Sequence, residues 1–415
     1  MLSDRIKIYF PLFSGNVSQK IFNSFCQNPG VGGTQFCTIV LATLLANKYS
    51  DVDIALVNYC EVNIIDQPAN FEVIVAADLD EFLARIKYLP KNHFIVLTAS
   101  LLMHSNKFEV LRLANNIIGW VHHPFQYAKG LKQRPVFSYV HVGVYQYYSN
   151  ELFFESNWQI QNLFCANNCD SFPNYPNSSG PIRVIYLGAL IKAKGFGFLA
   201  RHWLQLKALF PSIELHVIGS SETYGRLQEH NMIPCDKVFA NEILSFIPED
   251  DIHTGRVVFH GNLGAEKFEI MRSAHLAILN PTGATEAFPA SPLECMACGL
   301  PVIASDDYGM SDSMRFFPEL VLRSAEEIPA RVSFLLADRY QYEELSARSI
   351  AVAHWFDSQT DMILSRWRRL FDLAAGRGSG AFSNCPPLEP LYGSLVKLRL
   401  RQARAWLGVI KRALL

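Results

Sequence analysis

The chain has 415 residues, half of them hydrophobic and 18% charged, with a formal net charge of −1. That length and apolar content support two domains or more, each with its own core, and the balanced charge excludes a generally nucleic-acid-binding surface. Nine cysteines, odd in number and scattered without paired metal spacing, fit a reducing compartment and not a disulfide scaffold. The opening MLSDRIKIYFPLF lacks an apolar run followed by a cleavage site, so no signal peptide is expected. No uncharged apolar stretch approaches the roughly 18 residues of a membrane span, and no repeat at solenoid periods is visible.

Apolar runs read as strands at Ile6–Phe10, Ile54–Asn58, Val73–Ala76, Phe94–Thr98 and Ile117–His122, with an apolar helical run over Thr34–Tyr49. Strands alternating with helices predict a parallel sheet covered on both faces. The turn-rich CDSFPNYPNSSGP around Cys169–Pro181 reads as a linker. A second series follows, with strands at Arg183–Leu187, Ile213–Ile218, Val257–Phe259, Leu276–Leu279 and Pro301–Ala304.

Within the first series, Gly30-Val31-Gly32-Gly33-Thr34-Gln35 opens a helix, a loop in which backbone N–H groups can meet a phosphate. It is not a dinucleotide fingerprint, because the third glycine of G-x-G-x-x-G falls on Gln35. Asp78-Leu79-Asp80 has the D-x-D pattern of metal-dependent transferases, but Glu81 and a helical run follow, so it reads as an acidic helix start. Trp120-Val121-His122-His123-Pro124 ends a strand and offers imidazoles able to bond a hydroxyl or move a proton. In the second series, Lys192 and Lys194-Gly195 lie between the first strand and a helix.

Asn280 to Ser305, NPTGATEAFPASPLECMACGLPVIAS, is the most informative stretch. Glu286 sits in a loop rich in Gly, Pro, Thr and Ala; Glu294, after seven intervening residues, opens an apolar helical run that Gly299 stops before a short buried strand. Cys295 and Cys298 form a C-x-x-C on that apolar run, which reads as two packed thiols, not zinc or redox chemistry. A carboxylate at a helix start beside N–H groups that hold phosphate suits a nucleotide sugar, with hydroxyls at one end and a diphosphate in the middle.

His354 to Ala375 reads as a helix with Asp357 or Ser358 available as its cap. Gly376 to Pro390 is a linker by composition. In Leu395–Leu415, Val396, Leu400, Ala403, Leu407, Ile410 and Leu414 share one helical face. Lys397, Arg401, Arg404, Lys411 and Arg412 flank it, and no acidic residue follows Glu389. That pattern suits a helix lying on an anionic membrane surface.

The spaced glutamates, followed by GLPVIAS from Gly299 to Ser305, resemble the donor site of retaining GT-B glycosyltransferases of the family-4 kind, glycosyl transferases group 1. The resemblance implies an α/β fold of two Rossmann-like αβα domains facing a cleft, plus the C-terminal amphipathic helix. The expected bounds are an acceptor-side domain over 1–175, a nucleotide-sugar domain over 176–355, a helix crossing back over 356–375, and linker and basic helix over 376–415. Glu294 would hold the ribose hydroxyls, Glu286 would contact and orient the transferred sugar, and Lys194 would stabilise the departing diphosphate. The family's usual second cation is replaced by Ala189, which leaves Lys192 as the candidate substitute. Pro289 stands where many members have Gly and supplies no N–H.

Gly32 and Gly33 would lie beside the donor phosphates. Gly219, Leu263, Ala290 and Ser291 would complete the donor-binding set, and His123, or its neighbour His122, would face the sugar or acceptor. No metal and no cofactor are expected, the nucleoside-diphosphate sugar being a substrate. The implied acceptor is a lipid-linked or cell-surface glycan, the implied location the cytoplasm, peripheral on the inner membrane face. Ala189 keeps a catalytically silent scaffold or sugar-binding subunit open as an alternative; a nicotinamide-dependent oxidoreductase is disfavoured by the broken glycine fingerprint.

Overall fold

The computed structural model describes residues 5–17, 20–23, 28–86, 88–122, 131, 134, 136–151, 154, 156–166, 175–176, 180–222 and 232–377. The basic segment Leu395–Leu415 and His123 lie outside these residues. The chain divides into two compact units. The first comprises residues 1–24, 34–163 and 361 onward; the second comprises 25–33 and 164–360.

In the first unit the strands are β1 (Ile6–Pro11), β2 (Ile21–Asn23), β3 (Val52–Asn58), β4 (Asn63–Ile65), β5 (Phe71–Val75), β6 (His93–Thr98), β7 (Ile117–Val121), β8 (Ser138–His141) and β9 (Asn157–Gln159). Seven form one sheet in the order β5-β3-β1-β6-β7-β8-β9, and β2 pairs with β4. Every described ladder is parallel. Parallel strands are covered on both faces, so their sequences run apolar without alternation. Ile54, Ala55, Leu56 and Val57 of β3 are accordingly all buried.

Helix α1 (Gly33–Lys48) follows the glycine loop. Asp78 starts the helix over Leu79–Arg85, its carboxylate accepting from the Glu81 N–H at 2.7 Å, so the D-x-D pattern is a helix cap. The five strands expected from the sequence are present, but β2, β4, β8 and β9 were not foreseen.

The second unit holds β10 (Ile182–Leu187), β11 (Ile213–Ile218), β12 (Val257–Gly261), β13 (Leu276–Ile278), β14 (Val302–Ser305) and β15 (Val321–Leu322). The parallel order is β12-β11-β10-β13-β14-β15. Successive strands step outward to one side from β10 and then restart on its other side at β13. The chain therefore reverses its lateral direction between β10 and β13, the place where doubly wound sheets bind ligands at the strands' carboxyl ends.

Helix α2 (Ser291–Ala297) leads into β14. It ends in a left-handed Gly299 (φ 73°) whose neighbour Leu300 donates back to Cys295 O at 3.1 Å, a glycine-terminated helix end. The long α3 (Arg339–Ser358) ties to that end through Ser346 Oγ, which donates to Gly299 O at 2.8 Å. Helix α4 (Thr360–Ala374) follows directly. Asp357 and Ser358 are thus the last residues of α3 and not the expected cap, because the helical run begins far upstream at Arg339.

Helix α4 belongs to the first unit. Its Trp367 packs edge-on against Trp120 at 5.4 Å and its Phe371 stacks on Phe94 at 5.8 Å. Arg368 grips Asp51 with two hydrogen bonds of 2.7 Å. Trp120, Trp367, Phe94 and Phe371 are all essentially inaccessible, each worth about 1.5–3 kcal/mol of burial.

Candidate active site

The second unit's site is built from loops that leave the carboxyl ends of its strands. Backbone bonds lace three of them together. Gly188 N–H donates to Ile218 O at 3.0 Å, Leu190 N–H to Ser220 O at 3.2 Å and Gly219 N–H to Gly261 O at 2.8 Å. Gly219 has φ 139°, and a Cβ there would stand 2.0 Å from Gly188 O. No side chain fits, so glycine is required for the loops after β10 and β11 to touch.

After β10, a 3-10 turn over Lys192–Lys194 and the left-handed Gly195 (φ 79°) set up the helix Phe196–Arg201. This turn aims Lys194 across the switch point. Its Nζ meets Glu286 Oε1 at 2.9 Å, with both side chains mostly buried at 16% and 12% exposure. Asn280 supports the pair, donating from Nδ2 to Glu286 Oε1 at 3.1 Å and to Ala284 O at 3.0 Å.

The loop carrying Glu286 is tightly folded. Gly283 N–H donates to Asn280 O, Glu286 N–H to Gly283 O and Gly309 N–H to Glu286 O, at 3.1, 3.2 and 3.0 Å. Thr285 takes φ 66° and Tyr308 φ 54°, left-handed values that side-chain-bearing residues seldom adopt.

Glu294 lies in the first turn of α2, not at its start, because Ser291 and Pro292 already belong to the helix and the Glu294 N–H bonds to Ala290 O at 2.9 Å. Its carboxylate is held by Lys267, whose Nζ reaches Glu294 Oε1 at 2.6 Å. Lys267 is 5% exposed and begins the helix Lys267–Arg272, just after the β12 loop. Sequence reasoning missed both Lys267 and Asn280. A lysine in the polar string AEKFE carries the signature of a solvated charge, and only the fold buries it.

The glycine loop clusters with this same unit. Asn28 Oδ1 accepts from the N–H groups of Gly30 and Val31 at 3.0 and 2.8 Å, and Asn262 Nδ2 donates to Gly30 O at 2.9 Å. Gly30 lies against the β12 loop, where a Cβ would make ordinary contact with Leu263 O at 3.5 Å. Gly32 and Gly33 follow at the mouth of α1, and nothing among the described residues lies within 4 Å of a Cβ built on Gly33.

The structure thus brings Lys194 together with Glu286, Leu263 with the glycine loop, and Gly219 with the β10 turn. Ala290 precedes α2 and Ser291 is its first residue. Lys192 points elsewhere: it is 80% exposed and pairs with Glu242 at 3.1 Å. His122 belongs to the first unit, its ring 4.3 Å from that of Trp120. Cys295 and Cys298 are fully buried, and burial pushes the Cys295 thiol well above its usual range, which makes it a core residue. Among the described residues no cluster of three metal-ligating side chains occurs, and no helix is long and apolar enough to cross a membrane.

Residues 181–338 match the family model described as glycosyl transferases group 1. No curated protein matches the chain by sequence. Among solved structures, the chain is similar to sucrose-phosphate synthase from Thermosynechococcus elongatus, with a TM-score of 0.65 at 16% identity, covering 90% of this chain and 100% of that one. It is also similar to HepE of Anabaena, solved with UDP, with a TM-score of 0.60 at 15% identity over 87% of this chain and 100% of the other. A glycosyltransferase from Rickettsia africae gives 0.59 at 13% identity over 90% and 100%. Residues 181–338 are thus similar to a glycosyl transferases group 1 domain, and the two units together have the GT-B fold that these solved structures share.

Proposed function

We propose that the protein transfers a sugar from a nucleoside-diphosphate sugar, with retention of anomeric configuration, to a glycan acceptor that is lipid-linked or at the cell surface. The observation that carries the donor reading is the Lys194–Glu286 pair across the loops after β10 and β13. A cation at a switch point, where strand ends and loop N–H groups converge, is placed to stabilise the charge that grows on a departing diphosphate. Glu286, oriented by Lys194 and Asn280, would accept hydrogen bonds from hydroxyls of the transferred sugar. Held that way it is an orienting group, and no side chain of the site is assigned as a covalent nucleophile. Retention then proceeds on the donor's front face, with the leaving phosphate taking the acceptor proton. Gly32 and Gly33 would offer N–H groups to the phosphates, the loops at Gly219 and Leu263 would seat the base, and Glu294 would hold the ribose. HepE was solved with UDP, which makes uridine donors the first to try. His123 is assigned to the acceptor side on the sequence alone, as is the basic amphipathic segment Leu395–Leu415, which would hold the enzyme at an anionic membrane.

The test is calorimetric titration of UDP and GDP, together with turnover of the matching sugar donors and the product's anomeric configuration by NMR. Glu294→Ala is expected to weaken nucleotide binding by about 1.5–3 kcal/mol, the range for a hydrogen bond to a charged group. Glu286→Ala is expected to reduce turnover far more than nucleotide affinity. Equal nucleotide affinity in Glu294→Ala and wild type removes Glu294 from the ribose, and an inverted product removes retention.

A further inference from the structure

The Lys267–Glu294 pair has a composition that a ribose-binding carboxylate alone does not need. Lysine is almost never fully buried without a partner, and Lys267 is 5% exposed. Among the described residues its ammonium makes one hydrogen bond, to Glu294 Oε1 at 2.6 Å, and lies 5.3 Å from the centroid of the Phe268 ring. An ammonium carries three N–H donors and no acceptor, whereas a carboxylate only accepts. Two N–H donors are therefore left over in a nearly water-free position. They stand beside a carboxylate that has its second oxygen to offer and keeps 16% of its side-chain surface. Lys267 is also only four positions beyond Leu263, in the segment that continues from the β12 loop.

Resting on the reading that Glu294 faces the nucleoside, we propose that Lys267 is a second, specificity-determining residue of the donor site. With Glu294 it would form a donor–acceptor pair that reads the two neighbouring hydroxyls of the ribose. One hydroxyl donates to Glu294 Oε2; its neighbour accepts an N–H from Lys267. A fixed acceptor next to a fixed donor matches a vicinal diol, in which one hydroxyl gives a proton while the other receives one. A lone carboxylate would instead accept from both hydroxyls. The two arrangements respond differently to removal of a single hydroxyl, because the hydroxyl that faces Lys267 loses its partner when the ammonium is deleted.

The experiment compares UDP with 2′-deoxy-UDP and 3′-deoxy-UDP, and GDP with its deoxy forms, by calorimetry on the full chain. Wild type, Lys267→Met, Lys267→Gln and Glu294→Ala are titrated. Wild type is expected to lose about tenfold in affinity for each missing hydroxyl, the size of one good hydrogen bond. Lys267→Met should bind the ribonucleotide about tenfold more weakly. For one deoxy analogue it should show no further loss, and for the other the wild-type penalty should remain. Should Lys267→Met not fold, Lys267→Gln, which keeps an N–H but no charge, is expected to show a reduced penalty for that same analogue. Unchanged penalties for both analogues in the lysine variants, with Glu294→Ala still losing affinity, would make Lys267 a packing residue only and overturn the proposal. If Glu294→Ala binds as wild type does, the nucleoside reading itself falls, a result distinct from the first.

Discussion

At the scale of single residues, the site depends on a few positions where nothing else fits. Gly309 is the clearest. A Cβ there would lie 2.3 Å from both the carbonyl carbon and the oxygen of Ala287, and the Gly309 N–H holds Glu286 O at 3.0 Å. Backbone cannot yield as a flexible side chain can, so Gly309→Ala must push the Glu286 loop outward. The expected cost is about 2–3 kcal/mol of stability, together with a fall in turnover because the Lys194–Glu286 contact is lost. A melting curve and a turnover assay check both; unchanged turnover would show that the loop tolerates the shift and that its position does not govern catalysis. The glutamate string was legible in the sequence because spacing and flanking glycines act locally. The partners of those glutamates were not. Asn280 reads as a strand-end polar residue and Lys267 as a surface charge, and each acquires its role only when β13 and the β12 loop bring it to a carboxylate.

At the scale of elements, the apolar strands were readable and the polar ones were not. β3, β6 and β7 are near-continuous apolar runs, so their places followed from composition. β8 and β9 carry Ser138, His141, Asn157 and Gln159, all buried, and such a pattern resembles a loop until the pairing is seen. Ser138 and Ser156 share a hydrogen bond of 2.8 Å, and His141 Nε2 donates to Asn157 Oδ1 at 2.9 Å. Polar side chains thus satisfy one another between neighbouring strands, where periodicity has no signal.

His141 gives this edge a pH signature. Complete burial lowers its pKa to about 4 from 6.5, with the Asn157 bond a smaller opposing influence. An unfolded chain binds a proton there below about pH 6.5, while the folded unit resists it down to about pH 4. Stability is therefore full above pH 6.5 and falls as the pH drops toward 4, by about 3 kcal/mol from this group. His141→Gln, which keeps an N–H for Asn157, is expected to flatten the first unit's stability profile between pH 6.5 and 4 and to leave it unchanged in shape above pH 7. Urea unfolding at stepped pH measures this; an unaltered slope would mean that His141 is protonated in the folded unit.

At the scale of the whole molecule, the chain closes its first unit with its late residues. After the long α3 of the second unit, α4 returns Trp367, Arg368 and Phe371 to the sheet that β1 began. Two truncations therefore separate two roles. Ending the chain after Gln359 removes α4 and uncovers Trp120 and Phe94. Losing partners of that size costs about 3–5 kcal/mol per large aromatic, so the first unit is expected to melt far lower or fail to fold. Ending it after Ala375 keeps every one of those contacts, and melting should match the full chain.

What the second truncation removes is the linker and the basic apolar-faced segment Leu395–Leu415. Each lysine or arginine near an anionic surface contributes about 1 kcal/mol, and the attraction falls off within a Debye length. Lys397, Arg401, Arg404, Lys411 and Arg412 together would make binding strong at low salt and weak at high salt. The full chain is expected to float with phosphatidylserine-containing vesicles, to release as salt rises, and to ignore neutral phosphatidylcholine vesicles. The chain ending at Ala375 should stay in the soluble fraction in every case while turning over a soluble donor as fast as the full chain. If it still floats, the membrane contact lies on the folded units. If the full chain never floats, the apolar stripe is covered by protein instead, and a change in oligomeric state on truncation would identify a second copy as the cover.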